Sequence, residues 1–247
     1  IASCLVGSEM CIRDSASPDL TEQVKILTIS DPEIKQETPN GIFLTHAHIG
    51  HYTGLMYLGK EAMHANAVPV YAMPRMTYFL ENNGPWSQLV KLNNIQIQSI
   101  DSLEQIQLSE NLHVIPIQVP HRDEFSETVG YYIHAAKKTV LFIPDIDKWQ
   151  KWNRNIVNEI QKVDYAFLDA TFFDSKELNN RDMSEVPHPF VVESMELFKD
   201  LSILDKAKVY FIHFNHTNPL LDTNSKAYER VLRAGFHVAK FNQRIKL

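Results

Sequence analysis

The chain has 247 residues, 44% of them hydrophobic, and its 24 Lys and Arg against 30 Asp and Glu give a formal net charge of −6. This length and composition are sufficient for one sizeable α/β core. The acidic balance provides no basic footprint for nucleic acid, and no apolar run approaches the ~20 residues that span a membrane. We therefore expect a small-molecule substrate, no nucleic acid partner and no membrane span in this chain. The oligomeric state stays open, a homodimer included.

The first fifteen residues do not resemble the rest of the chain. Both cysteines, Cys4 and Cys11, lie in this stretch, which is similar to a translated adapter sequence. We therefore set residues 1–15 aside as a non-native or disordered leader, and we expect residues 16–247 to form a single domain. The natural chain is then expected to begin earlier, with its first strands and any export signal upstream. The alternative is a genuine flexible N-terminus.

Strands and helices alternate along the rest of the chain. Segments rich in β-branched and aromatic residues predict strands, and apolar residues at a spacing near 3.6 predict helices. In chain order we expect a helix at 20–27, a strand at 41–44, a helix at 54–65, a strand at 68–73, a helix at 74–82, strands at 95–100, 112–119, 128–134 and 139–144, a helix at 153–163, a strand at 165–169, a helix at 189–201, a strand at 209–214, a helix at 224–234 and a strand at 237–245. The stretch 84–88 is predicted to be a loop.

Three histidines follow the first predicted strand within six residues. His46 and His48 alternate, so an extended backbone presents both on one side, and His51 falls where a helix should begin. Imidazole is the commonest metal ligand in proteins. The run therefore predicts a metal site, and the alternative is a polar loop that happens to be rich in histidine.

A fourth histidine, His121, follows the predicted strand 112–119 and is stiffened by Pro120. A histidine held at a strand end is well placed to complete a three-histidine site with His46 and His48. The alternative is a surface turn. With only two cysteines, both near the start, any metal must be held by histidine and carboxylate.

Four separated motifs resemble the metallo-β-lactamase superfamily. They are the H-x-H-x-x-H run with Thr53-Gly54-Leu55 after it, His121, the carboxylates that end the strand 139–144, and the histidine that follows Val209–Ile212. The resemblance covers roughly residue 16 to the C-terminus. Within the superfamily the chain is similar to a bacterial branch around the pyrroloquinoline quinone biosynthesis protein B and, more loosely, to the phosphodiesterase of phosphonate breakdown. It implies an α+β four-layer αβ/βα sandwich. The compartment stays open, because the absence of cysteine after residue 15 is compatible with either the cytoplasm or the periplasm.

The resemblance also implies roles for the site residues. One divalent cation would be held by His46, His48 and His121, and a second by His51, Asp145 and His213, with Asp145 as the bridging carboxylate. The alternative for Asp145 is a cap on the following segment.

Five further residues have less certain places in this pattern. His188, just before the predicted helix 189–201, is similar in position to the general acid of the nuclease and phosphodiesterase branches, or it only starts a helix. Asp147 alternates with Asp145 and could point the same way. His216 lies beyond the family pattern, as a ligand, a substrate contact or a packing residue. Asp123 or Glu124 could accept the free N–H of a ligand.

Gly50 departs from the family pattern, whose run reads H-x-H-x-D-H. Without that Asp the second cation site loses an anionic ligand. The second site is then weak, or is completed by His216, Asp147 or water, or the enzyme works with one metal. Zn is the metal we expect first, with Mn and Fe as alternatives, because open N/O sites do not select among them by sequence.

The predicted function is a metal-dependent hydrolase that uses a metal-activated water on a phosphodiester, ester or lactone-type bond. His188 and Asp145 are its predicted catalytic residues. One alternative is iron-dependent oxidation in quinone cofactor biosynthesis, which the branch resemblance suggests. The other is a non-catalytic metal-binding protein on the same fold.

Overall fold

The computed structural model describes residues 4–7, 10–13, 16–30, 38–178, 182–241, 243, 245 and 247. They divide into two compact units, each built on one sheet. The N-terminal unit contains Ala2–Glu104 and Asp123–Thr128, and the C-terminal unit contains Gln105–Arg122 and Val129–Phe241. In the described part of the chain no helix has the length and apolar character needed to cross a membrane.

The N-terminal unit contains a five-stranded sheet in the order β1-β2-β3-β4-β5. The first pair is antiparallel and the later strands run parallel. The strands are β1 (Cys4–Gly7), β2 (Met10–Arg13), β3 (Gly41–Phe43), β4 (Val68–Ala72) and β5 (Ile95–Ser99), and the helices are α1 (Leu20–Ser30), α2 (Ile49–Tyr52), α3 (Pro74–Asn82) and α4 (Trp86–Lys91), with a 3₁₀ helix at Thr53–Leu58. Two strands thus lie in the segment that we set aside, whose origin stays a prediction.

The C-terminal unit contains a seven-stranded sheet in the order β12-β11-β10-β9-β8-β7-β6. Strands β9 to β12 are parallel, and β6 to β9 pair antiparallel, so β7 runs in the same direction as β9, β10 and β11. The strands are β6 (Ile106–Ser109), β7 (Leu112–Gln118), β8 (Val129–His134), β9 (Thr139–Ile143), β10 (Tyr165–Asp169), β11 (Val209–Ile212) and β12 (His237–Val238), and the helices are α5 (Ile156–Gln161), α6 (Val191–Leu197), α7 (Ile203–Lys206) and α8 (Lys226–Arg233), with 3₁₀ helices at Trp149–Lys151, Met183–Glu185 and Pro219–Leu221.

The structure corrects several predicted elements. The predicted helix 54–65 is instead a 3₁₀ helix over Thr53–Leu58, which directly follows the four-residue α2. Gly54 lies so close to another segment that a Cβ there would be 2.1 Å from the Ser17 carbonyl oxygen. The predicted loop 84–88 contains the start of α4, and the strand at 237–245 is confined among described residues to His237–Val238. Strand β6 was not predicted, because it is short and only half-buried.

Two histidines of the C-terminal unit face each other across β7 and β8. His113 pairs with His134 in the sheet register, and their rings stack with centroids 4.6 Å apart. Burial, together with the nearby His113, lowers the pKa of His134 below its usual value. The folded state therefore favours neutral His134, and the unfolded chain binds a proton more readily.

We expect the free energy of unfolding to fall as the pH drops below about 6.5, the pKa of an unfolded histidine. His134→Gln is expected to flatten this fall, which urea denaturation between about pH 7 and pH 5 measures. His216→Gln, on an exposed histidine, is the matched control. An unchanged pH slope in His134→Gln would show that this pair contributes nothing to the acid sensitivity.

Candidate metal centre

The histidine loop of the N-terminal unit is formed directly after the buried strand β3. Thr45 and His46 are each 1% exposed, His51 is 7% exposed on α2, and His48 is half-buried in extended backbone. The rings of His46 and His51 lie with their centroids 4.2 Å apart. The structure therefore brings the three histidines of the run together, with two of them almost out of solvent.

The ring nitrogens of His46 and His48 converge. Nε2 of His46 lies 2.9 Å from Nδ1 of His48, while the Thr45 hydroxyl contacts His46 Nδ1 at 3.1 Å and Glu124 contacts His48 Nε2 at 3.2 Å. An ionised carboxylate only accepts, so Glu124 places the proton of neutral His48 on Nε2 and leaves the lone pair on Nδ1. Two nitrogens around a tetrahedral Zn with bonds of 2.0–2.1 Å lie about 3.3 Å apart. At 2.9 Å the two nitrogens are hydrogen-bonded to each other and lie closer than two ligand atoms that share a Zn.

The segment Asp123–Thr128 is attached to this loop. The backbone N–H of Ala47 donates to the Ser126 hydroxyl at 2.8 Å, and the Arg75 guanidinium donates to the Asp123 backbone oxygen at 2.7 Å. Glu124, one of the two residues predicted to orient a ligand, orients His48. Asp123 instead contacts Arg75, with a guanidinium nitrogen 3.3 Å from its carboxylate.

In the C-terminal unit, four strands deliver their site residues to one edge of the sheet. His121 follows β7, Asp145 follows β9, Asp169 ends β10, and His213 follows β11. These strands run in the same direction, and functional groups of such sheets lie beyond the carboxyl ends of the strands. The positive φ of His213, 62°, is a backbone strain of the kind that clusters at functional sites.

Asp145 is 3% exposed, and its two carboxylate oxygens face different histidines. Oδ1 lies 3.6 Å from His121 Nε2, and Oδ2 lies 3.4 Å from His213 Nε2. Both distances exceed a normal N–H···O bond of 2.7–3.2 Å, and they approach the separation of two ligand atoms that share a cation. Asp145 therefore has one oxygen toward each of two histidines, the arrangement that a bridging carboxylate requires.

The other ring nitrogen of each of these two histidines, Nδ1, also has a side-chain partner. Asp147 Oδ1 lies 3.2 Å from His121 Nδ1, and the Thr171 hydroxyl lies 2.9 Å from His213 Nδ1. Thr171 donates its one hydroxyl proton to Asp169 at 2.7 Å, so it accepts from His213. In their neutral forms both histidines therefore direct the Nε2 lone pair toward Asp145.

Asp169 organises this edge, although we did not predict it as a site residue. It is fully buried and accepts from the backbone N–H of Ile146 at 3.1 Å, from Thr171 and from His188 Nδ1 at 2.8 Å. The sequence did contain a sign of this role: Asp169 is the last residue of a predicted apolar strand, just as Asp145 is the first residue after another. The family resemblance marks only the motif of Asp145, and Asp169 was therefore missed.

His188 lies between two carboxylates and is 9% exposed. Its Nδ1 donates a hydrogen bond to Asp169 Oδ2 at 2.8 Å and lies 3.1 Å from Asp145 Oδ1, within ion-pair distance. Burial opposes the charged form, but Asp169 and Asp145 outweigh it and raise the pKa of His188 to about 9. Asp145, Asp169 and His188 also form a group that could hold a metal ion.

His216, whose role was left open, is exposed three residues beyond His213. Among described residues it belongs to no group of three potential ligands. The assignment of His46, His48, His51, His121, Asp145 and His213 as the metal ligands stays a prediction.

Comparison with known proteins decides the family. Residues 15–214 match the family described as Beta-lactamase superfamily domain. The chain belongs to the metallo-β-lactamase superfamily. The predicted superfamily and its fold are therefore confirmed.

Individual relatives of this superfamily member are distant. A coenzyme PQQ synthesis protein B of Nitrosococcus oceani is 23% identical over 253 residues, which cover 91% of this chain and 80% of the relative. The crystal structure of Zn(2+)-bound PqqB from Methylobacterium extorquens matches with a TM-score of 0.78 at 20% identity, over 99% of this chain and 86% of that one. A diphosphatase from the PhnP family matches with a TM-score of 0.62 at 19% identity, over 96% of this chain and 80% of that one. The predicted similarity to PqqB is confirmed.

Proposed function

We propose that this chain is a metal-dependent hydrolase that acts on a phosphodiester, ester or lactone-type bond. His46, His48 and His121 would hold one divalent cation, and His51, Asp145 and His213 a second. Zn is the expected metal, with Mn or Fe as alternatives. When bound, such cations supply a water of lowered pKa and positive charge for the developing oxyanion.

The donor set of each unit fits a divalent cation. Imidazole nitrogens and carboxylate oxygens suit Zn, Mn and Fe, and four predicted ligands have their remote ring nitrogen held by Thr45, Glu124, Asp147 or Thr171. Such outer contacts set the tautomer and orientation of a ligating histidine. Each unit thus fixes the orientation of its own histidines through contacts to these ring nitrogens.

The observation that favours hydrolysis is the place of His188 beside Asp145. Its Nδ1–H is held by Asp169 at 2.8 Å, which orients the imidazole as the carboxylate orients histidine in other general acid–base pairs. His188 would then protonate the leaving group at the second ring nitrogen, Nε2. An oxidation would have no leaving group to protonate.

Gly50 sets the expected strength of the second cation site. It is exposed on α2, and a Cβ there would meet no atom within 4 Å. An aspartate therefore fits sterically, and its absence leaves that site with two histidines and one shared carboxylate. We propose that the second cation binds more weakly than the first.

Metal content tests the proposal. Protein purified without chelator and assayed by inductively coupled plasma mass spectrometry is expected to contain more than one equivalent of Zn, Mn or Fe when metal is supplied. His213→Ala should lose the weaker equivalent and His46→Ala the stronger one. Hydrolysis of phosphodiester and lactone substrates should fall in both variants and be abolished by chelator.

Gly50→Asp supplies the complementary control, since it adds the missing ligand. It is expected to raise the occupancy of the second site at limiting metal, and His216→Ala should change nothing. Folded protein that binds no metal would overturn the proposal. One tightly bound metal without hydrolysis would instead support a non-catalytic metal-binding protein.

A second candidate is iron-dependent oxidation in quinone cofactor biosynthesis, favoured by the similarity to coenzyme PQQ synthesis protein B. Iron-loaded protein would then consume oxygen in the presence of a substrate and would show a ligand-to-metal absorption band. Hydrolysis by the Zn form with no oxygen consumption by the iron form would exclude it.

A further inference from the structure

Asp147 lies at the centre of contacts that converge on His121. The histidine side chain is 1% exposed, and its Nδ1 is 3.2 Å from Asp147 Oδ1. The backbone N–H of Asp147 donates to the Pro120 carbonyl at 2.7 Å. The loop of Asp147 and the loop of His121 are therefore joined by a backbone hydrogen bond in addition to the contact with the ring. Asp147 therefore touches the residue before His121 and the ring itself.

The second oxygen of Asp147 is used differently. Lys151, 59% exposed at its side chain, places Nζ 2.7 Å from Asp147 Oδ2. A carboxylate whose one oxygen accepts from imidazole and whose other oxygen accepts from ammonium has both oxygens engaged by protein donors. Asp147 therefore acts on the metal site from outside rather than as the substitute ligand that we considered.

We propose that Asp147 is the positioning residue of His121, holding it as the Nδ1–H tautomer with Nε2 directed toward Asp145. Lys151 contacts the second oxygen of this carboxylate, not the ring. The proposal deepens the proposed function and rests on it only for the consequence in metal affinity, since the tautomer is a property of the metal-free chain.

Asp147 matters for His121 because a neutral imidazole has two tautomers, and only one of them presents a lone pair on Nε2. An ionised carboxylate at Nδ1 selects that tautomer, fixes the ring plane and raises the basicity of the ligand atom. The four predicted ligands differ in these partners. His121 contacts the carboxylate of Asp147, and His48 contacts that of Glu124. His46 and His213 contact threonine hydroxyls at Nδ1, which carry no charge.

The first measurement is the tautomer of His121 in metal-free protein, read from long-range ¹H–¹⁵N correlation spectra and assigned by comparison with His121→Gln. Wild type is expected to show one tautomer, protonated at Nδ1. Asp147→Ala should give a mixture, and Asp147→Asn should keep the wild-type tautomer because its amide oxygen still accepts.

The second measurement is Zn affinity by competition with a chromophoric chelator. Loss of such an outer partner typically weakens metal binding about 10–100-fold, which is the loss we expect for Asp147→Ala. Asp147→Asn should lose less, because the orientation survives without the charge. Lys151→Met should not weaken binding, since it removes a cation from the carboxylate and not from the histidine.

The matched control is Asp164→Ala, which removes a carboxylate paired with Lys138 at 2.9 Å in the same unit. It should leave both the tautomer and Zn affinity unchanged. An unaltered His121 tautomer in folded Asp147→Ala would overturn the proposal, and so would equal losses of affinity in Asp147→Ala and Lys151→Met. If wild type binds no Zn, the metal-dependent function fails while the tautomer still decides the role of Asp147.

Discussion

Asp169→Ala is expected to lower the free energy of unfolding by roughly 3–5 kcal/mol, the usual loss when one partner of a buried charged pair is removed. The carboxylate is fully buried, and His188 donates to it at 2.8 Å. The substitution would leave His188 in the protein interior without its main partner and would also release the N–H groups of Ile146 and Thr171. Urea denaturation near pH 7 measures the change.

Two further variants test this expectation. Asp164→Ala removes a half-exposed carboxylate that accepts from Thr139 and Lys138, and it should cost only about 1 kcal/mol. Asp169→Asn keeps the size of the side chain and should fall between wild type and Asp169→Ala. Equal losses for Asp169→Ala and Asp164→Ala would show that Asp169 does not organise this edge of the sheet.

His188→Gln is expected to have the largest effect on activity under the proposed function. Removing a general acid typically costs about 10²–10⁴-fold in rate. The loss should fall on kcat and be greatest for a substrate with an alkoxide leaving group, which needs a proton. It should be smaller for p-nitrophenolate, which leaves without one. Steady-state rates on such a pair of phosphodiesters give the comparison.

Metal content separates this role from ligation, since Asp145, Asp169 and His188 also form a possible metal group. His188→Gln is expected to bind as much metal as wild type. Loss of one equivalent of metal would instead identify His188 as a ligand. Equal losses of kcat for both leaving groups would exclude His188 as the proton donor. His216→Gln, an exposed histidine on a neighbouring loop, is the control and should retain full activity.

Most strands were predictable because their signals are local. Tyr165–Asp169 matches its prediction at both ends, and Val68–Ala72 and Thr139–Ile143 differ from theirs by one residue. Each is rich in β-branched, aromatic or aliphatic residues and has a neighbouring strand on both sides. The predicted helix 54–65 was wrong, because the chain forms a 3₁₀ helix over Thr53–Leu58 and apolar spacing alone does not fix where a helix ends.

By itself the sequence determined the superfamily and the residues that the strands present at their ends, because a histidine or aspartate that follows a predicted strand lies at the end of that strand. Only the tertiary structure decided which atoms hold those side chains. Asp147 rather than Asp123 accepts from His121, and the unpredicted Asp169 holds His188. These contacts join residues 19 to 26 positions apart through loop conformation, and the hydrogen-bond partners of a loop depend on the segments packed beside it rather than on its own composition.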